Sequence, residues 1–144
     1  MILIQTWQQA SKEAYAIRKQ VFIEEQGVSP ELELDDFDPL CWHALAFQGS
    51  QCIGTGRLVD MGMNQGQIGR MAVLADFRHK GVGKAILLKL LELAQSQNIL
   101  RISLHAQVSA IPFYEKLGFV AQGSIYEEAG IAHRNMILLL PISN

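Results

Sequence analysis

Short apolar runs bounded by turn residues alternate along this chain with two longer stretches in which apolar positions recur every three or four residues. Ile2-Leu3-Ile4 predicts a short first strand. From about Ser11 to Phe22, Ala14, Ile17, Val21 and Phe22 fall on or near one face, which predicts a helix. Gly27, Pro30 and Pro39 break regularity, so residues 27–39 read as a loop with at most one helical turn. Trp42 to Phe47 and Cys52 to Val59 read as strands around the turn Gln48-Gly49-Ser50-Gln51. A second turn, Met61 to Gly66, leads into a third run from Gln67 to Leu74, and the three runs predict an antiparallel meander.

The clearest helix is Lys84 to Gln97. Val82, Ile86, Leu90, Leu93 and Ala94 form its apolar stripe, widened by Leu87 and Leu91, and Lys89, Glu92 and Ser96 mark its polar face. Leu100 to His105 returns as a strand, so strand, helix and strand form a crossover that sets two neighbouring strands parallel. Ser109 reads as the N-cap of a short helix ending near Gly118, with Pro112 in its first turn where a missing N–H costs little. Phe119 to Gln122 and Met136 to Leu140 predict the last two strands, the final one buried. A loop carrying Glu127, Glu128, Gly130 and His133 is expected between them.

At 144 residues, 49% of them hydrophobic, the chain has enough apolar material for one well-packed domain spanning 1–144. The N-terminus lacks the basic and long apolar parts of a signal peptide and no stretch approaches a membrane span, so the expected location is cytoplasmic. Cys41 and Cys52 lack metal-ligand spacing and read as free, mostly buried thiols. The net charge of -2 hides a polarised distribution: residues 24–38 hold seven carboxylates and no Lys or Arg. An acidic segment of this kind either attracts a cationic acceptor or is a solvated surface loop. No basic stripe with interleaved aromatics appears, which argues against a nucleic-acid partner.

The chemistry starts at Arg78-His79-Lys80-Gly81-Val82-Gly83-Lys84, between the apolar run Met71 to Leu74 and the long helix. The first amides of a helix have no partner within it and sit at the positive end of its dipole, so a strand-to-helix turn can hold phosphate. Gly81 and Gly83 let the backbone curl around an oxygen, and Arg78, His79, Lys80 and Lys84 surround it with charge or potential charge. A P-loop is excluded: position 78 is Arg where its first glycine belongs, and Ala85 lacks the hydroxyl that would hold magnesium. The dinucleotide fingerprint also fails, because Ile86 stands where its third glycine is required. Taken alone, the turn remains open to a plainer reading as an ordinary entry into a packed helix.

Arg78-x-x-Gly81-x-Gly83-Lys84 resembles the signature of the GNAT superfamily of acyl-CoA-dependent acyltransferases. Phe113-Tyr114-Glu115-Lys116-Leu117-Gly118-Phe119 is similar to a second segment of that family. Val21 to Gln26 and Gly130 to His133 resemble a branch of small bacterial members. The resemblance implies an α/β fold of the α+β type: a mixed, mostly antiparallel sheet with helices on both faces, split near the Met71 and Leu100 strands. It implies acetyl-CoA as co-substrate, with its diphosphate at residues 78–84 and its pantetheine arm on the backbone of Met71, Ala72 and Val73. It also implies a small-molecule or protein amine as acceptor and no metal, and it makes a homodimer reasonable.

An alkylammonium of pKa near 10.4 is only about 0.04% neutral at pH 7, so the site must take a proton from the acceptor and supply one to the departing thiolate. Tyr114 matches the tyrosine that serves as general acid in many GNAT enzymes, with a packed helix aromatic as the alternative. For the base, His133 and Glu25 are the candidates, His133 having the better ordinary pKa. His43 and His105 read as structural histidines in strands. Arg57 and Arg70 interrupt apolar strands and either pair with the acidic segment or bind an acidic acceptor. A non-catalytic acyl-CoA-binding module of the same fold, or a structural domain that binds no CoA, are the rival readings.

Overall fold

The structure, a computed structural model, describes residues 1–141, the side chains at 31 and 32 excepted. Seven strands, β1 (Ile2–Gln5), β2 (Trp42–Gln48), β3 (Gln51–Gly62), β4 (Gln65–Val73), β5 (Arg101–Gln107), β6 (Val120–Glu128) and β7 (Ile131–Leu139), form one sheet among the described residues. Their order is β1-β2-β3-β4-β5-β7-β6, and every neighbouring pair is antiparallel except β4 and β5. Helices α1 (Trp7–Arg18), α2 (Pro30–Glu33), α3 (Val82–Ser96) and α4 (Ile111–Glu115) complete the fold. No helix among the described residues is long and apolar enough to cross a membrane.

Strand alternation distributes the helices to the two faces. On β2, Leu45 packs with Ala10 and Ala14 of α1, while its neighbours Ala44 and Ala46 join Ile86, Leu87 and Leu90 of α3. The mixed, mostly antiparallel sheet with helices on both faces follows. Helix α1 starts at Trp7, ahead of the expected Ser11, because Thr6 caps it. The Gln9 N–H donates to the Thr6 hydroxyl at 3.4 Å, and the Thr6 N–H donates to the Gln9 side chain at 3.2 Å. Past Arg18 the helix widens into a π-helical segment, Lys19–Glu25.

Two expectations near the C-terminal end need correction. Ser109 lies in a 3-10 turn, Val108–Ala110, and α4 begins at Ile111 with no side-chain cap. The expected loop between the last two strands is a long hairpin instead: β6 runs to Glu128 and β7 starts at Ile131, with Tyr126 paired opposite His133. As an edge strand exposed along most of its length, β6 carries almost no buried apolar rhythm to mark it as a strand.

Glycine lets α3 sit close on β3. A Cβ at Gly56 would lie 2.5 Å from Met71 Sδ, 3.0 Å from Ile86 Cγ2 and 3.2 Å from Leu90 Cδ1. Gly56→Ala therefore overpacks the seam between α3 and the β3–β4 hairpin. We expect it to lower the unfolding free energy by about 1–3 kcal/mol in urea denaturation. An unchanged midpoint would mean that Met71 and Ile86 yield to the added methyl without cost.

Candidate active site

The parallel contact between β4 and β5 is short. Gln65 pairs with Arg101, Gly66 with Ile102 and Gln67 with Ser103, and beyond that point the strands part. Where they part, a bulge distorts β4: Thr55 faces Ala72 and Arg57 faces Gly69, so β4 spends one more residue than β3. Arg70 sits in the bulge at φ 50. A cavity of roughly 560 Å³ opens in the gap, walled by Arg57, Gly69, Arg70 and Met71 on one side and by Leu104, His105, Gln107 and His133 on the other.

The far edge of β4 is left open by the same divergence. Leu74 N–H donates to Ile53 O at 2.9 Å, so strand alternation directs the backbone of Ala72 toward β3 as well. Met71 and Val73 turn theirs toward the gap. The Val73 carbonyl accepts from Arg78 Nε at 2.9 Å. Of the three residues expected along a cofactor arm, the structure thus separates Ala72, engaged with β3, from Met71 and Val73.

The turn into α3 is curled by His79 at φ 63 and Gly81 at φ 84. The first bond of the helical ladder is Ala85 N–H to Gly81 O, 3.0 Å, and no side chain caps the start. The amides of Val82, Gly83 and Lys84 precede that ladder and have no partner among the described residues. A Cβ at Gly83 would meet nothing closer than 3.8 Å. Lys80 lies over the Phe77 ring at 5.8 Å. Arg78 is turned away to Glu25, with its two terminal nitrogens 2.6 and 2.7 Å from the carboxylate oxygens.

That pair bears on the base. Arg78's hydrogen bonds pull the Glu25 carboxyl below its ordinary value, opposite to the shift a general base needs, and Glu25 does not line the cavity. His133, expected on a loop, lies on β7 instead and is buried at the cavity wall. Its Nδ1–H donates to Ile131 O at 2.7 Å, which leaves the lone pair of the neutral ring on Nε2. His105, read as structural, lines the same wall and contacts Glu128 Oε1 at 2.9 Å through Nδ1. His43 is structural: it is buried, bonded to Asp38 O at 2.9 Å and packed on Trp7, and burial lowers its pKa.

Tyr114 also lines the cavity, wedged edge-on between Phe113 and Phe119. Burial pushes its phenol up to about 12. Its hydroxyl has no hydrogen-bond partner among the described residues.

The acetyltransferase (GNAT) domain profile matches residues 8–140. The chain belongs to the GNAT family. YyaT of Bacillus subtilis (strain 168), an uncharacterized protein, is 39% identical over 124 residues, 84% of this chain and 83% of that one. YjcF of the same organism, named an uncharacterized N-acetyltransferase, is 34% identical over 127 residues, covering 88% of this chain and 90% of YjcF. The crystal structure of an acyl-CoA N-acyltransferase from Pseudomonas aeruginosa superposes with a TM-score of 0.84 at 25% identity, over 95% of this chain and 97% of that one. Acyl transfer is the class of chemistry this GNAT site has to serve.

The acidic segment of this GNAT domain is built inward as a buried ion network. Arg18 contacts the Glu33 carboxylate through Nε and holds Asp38 at 2.8 Å, Arg57 holds Asp35 at 2.7 Å and Asp38 at 2.8 Å, and Arg70 reaches Glu33 and Asp35 at 3.2 Å. Glu33, Asp35 and Asp38 therefore serve arginines, and a solvated loop is the wrong description of them. Arg57 and Arg70 do pair with the acidic segment. Arg57 Nε is buried without a partner among the described residues. Arg18 was not anticipated, although its position four residues after Ala14 and three before Val21 puts a charge on the apolar face of α1, which is the available signal.

Burial works against the ionised Asp38, but the hydrogen bonds and charge of Arg18 and Arg57 outweigh it and hold its carboxyl below the ordinary value. For Glu33 burial wins and the carboxyl is raised. Asp38→Ala leaves two buried guanidiniums short of a partner, and we expect it to cost about 3–5 kcal/mol of unfolding free energy at pH 7. A depressed pKa stabilises fully above the unfolded value and is lost as pH falls through the folded one. The deficit, followed by urea titration, should hence shrink below about pH 3.8, the ordinary value for Asp. A pH-independent deficit would show that the carboxylate's charge is not what the network uses.

Proposed function

We propose that this protein is an N-acetyltransferase that moves the acetyl group of acetyl-CoA to a primary amine of a small molecule or protein. The observation that supports the reading is the gap between β4 and β5, which opens a cavity lined by His133 and Tyr114, while β4 runs on toward the turn whose uncapped amides open α3. The amides of Val82, Gly83 and Lys84 would take the diphosphate, with Lys80 and Lys84 adding charge and Gly83 leaving room. Met71 and Val73 would meet the pantetheine arm with their outward backbone groups, as a further strand meets a sheet edge.

The chemistry then divides between two side chains of the cavity. His133 Nε2 takes a proton from the acceptor's ammonium, and the freed nitrogen lone pair attacks the thioester carbonyl. As the tetrahedral intermediate collapses, the C–S bond breaks, the thiolate takes the Tyr114 hydroxyl proton, and the second proton shed by the attacking nitrogen as the amide forms restores the Tyr114 hydroxyl through solvent. The phenol is protonated at neutral pH and so can donate; burial, by pushing it up to about 12, makes it a weaker acid than an exposed phenol, so the thiolate has to be held against it. Glu25 is left out as base, its carboxylate being committed to Arg78; its part is to tie the π-helical segment to the turn.

Three measurements test the reading. Acetyl-CoA at 100 times its Kd should stabilise the protein by about 2.7 kcal/mol, seen as a rise in Tm. Gly83→Asp, which the fold has space for, should abolish that rise by placing a negative charge beside the phosphates. Tyr114→Phe should keep cofactor affinity and slow single-turnover acetyl transfer about a hundredfold. Stabilisation by acetyl-CoA without turnover of any amine would leave a binding module; an undiminished rate in Tyr114→Phe would remove the phenol from the mechanism.

A further inference from the structure

Glu128, at the end of β6, puts its two carboxylate oxygens against two histidines of the cavity wall. Oε1 is 2.9 Å from His105 Nδ1 on β5, and Oε2 is 3.8 Å from His133 Nε2 on β7. The first is a hydrogen bond; the second is too long for one. The His133 ring cannot close that distance freely, because Nδ1–H is already anchored on Ile131 O and the ring stacks on Tyr126 at 6.1 Å. A separation of 3.8 Å does suit a single nitrogen that donates one N–H to Glu128 and another to His133. An alkylammonium is such a nitrogen.

Charge on the rest of the wall decides what else the acceptor carries. Arg57 and Arg70 line the cavity, but with Arg18 they form three guanidiniums set against three carboxylates, Glu33, Asp35 and Asp38. Arg57 Nε adds a donor without adding surplus charge. Among the described residues Glu128 has no arginine or lysine as an ion-pair partner, only the two histidines. With neutral histidines the cavity carries one excess negative charge, and it sits beside the base. Phe22, Val28, Phe37, Leu104 and Ile131 supply the apolar remainder of the lining.

We propose that Glu128 is the acceptor-selecting residue, and that the acceptor is a cationic primary amine on an apolar stem with no carboxylate beside the amine. The assignment rests on the acetyl-transfer reading above and deepens it. A free amino acid would bring its own carboxylate up against Glu128 and find no surplus positive charge in compensation.

The test compares phenethylamine with phenylalanine, and tyramine with tyrosine, on the full chain. Binding is measured by titration calorimetry with the protein saturated in CoA, which permits no turnover, and initial rates are measured with acetyl-CoA by thiol release. Wild type, Glu128→Gln and Glu128→Asp are compared. Each amine should bind at least tenfold more tightly than its amino acid. Glu128→Gln should raise the amine Kd and KM at least tenfold while leaving the acetyl-CoA Kd unchanged, and Glu128→Asp should recover part of the loss. Amino acids binding or reacting as well as the amines would overturn the proposal, as would an indifferent Glu128→Gln or a failure of both probe types to bind. Selective, Glu128-dependent binding of amines that are never acetylated would uphold the selection and sink the catalytic reading instead.

Discussion

Parallel strands that part after three residue pairs are the constraint on which this molecule depends. A sheet edge normally presents a liability, since unpaired N–H and C=O groups invite a foreign strand. Here the exposed edges of β4 and β5 face one another across a gap inside the sheet, so the liability becomes an internal binding slot. The β4 bulge at Arg70 starts the divergence, and the crossover through α3 fixes its direction. Because β4 leads through the 3-10 turn Ala75–Phe77 to the turn that opens α3, the slot and the uncapped helix start are parts of one connection. Neither would be placed correctly without the other.

The ion network of Arg18, Arg57 and Arg70 with Glu33, Asp35 and Asp38 has a structural task at the same spot. It ties the irregular segment after the π-helix to β3 and β4 on the side where β4 has lost a neighbour. Apolar packing would have been an alternative way to close that side, and buried ion pairs are often no more stabilising than apolar replacements. What the ions add is direction: bidentate guanidiniums fix the angle at which residues 33–38 cross the cavity wall, and with it the position of Phe37 at its rim. The network accounts for three of the seven carboxylates of residues 24–38 without invoking a cationic ligand.

How far the sequence was legible depends on the range over which each feature is encoded. The long helix, the β2–β3–β4 meander and the curled turn at Gly81 are written in contiguous residues, and they could be read. Arg18 is marked in sequence only as a charge on the apolar face of α1, and its partners could not be read, since they lie 15 and 20 positions away and only the fold brings them to it. The β6–β7 hairpin was hidden for a different reason. An edge strand with exposed Gln122, Gly123, Ser124 and Ile125 has little buried periodicity, so Glu128 and His133 looked like residues of one loop when they lie on facing strands, two residues apart in register. Family resemblance located Tyr114, whereas its burial and uncommitted hydroxyl are visible only in three dimensions.

In the proposed reaction the two proton carriers both stand on rigid supports. Tyr114 is clamped between two phenyl rings on α4, and His133 is held by its own turn's carbonyl and a stacked phenol on β7. Neither side chain can follow a migrating proton by swinging, so the reacting atoms have to be delivered to them. Delivery is what the β4 edge provides, because an extended arm bonded along a strand has its distal atom placed by the register of that strand. Fixed donors and acceptors of this kind require no reorganisation at the moment of reaction. On the proposed reading the same rigidity would make His133 depend on its surroundings for acceptor capture: a histidine that cannot reach out needs a neighbouring carboxylate to bring the ammonium in. The half-exposed Glu128, bonded to His105 on one side and separated from His133 on the other, occupies that place between solvent and base.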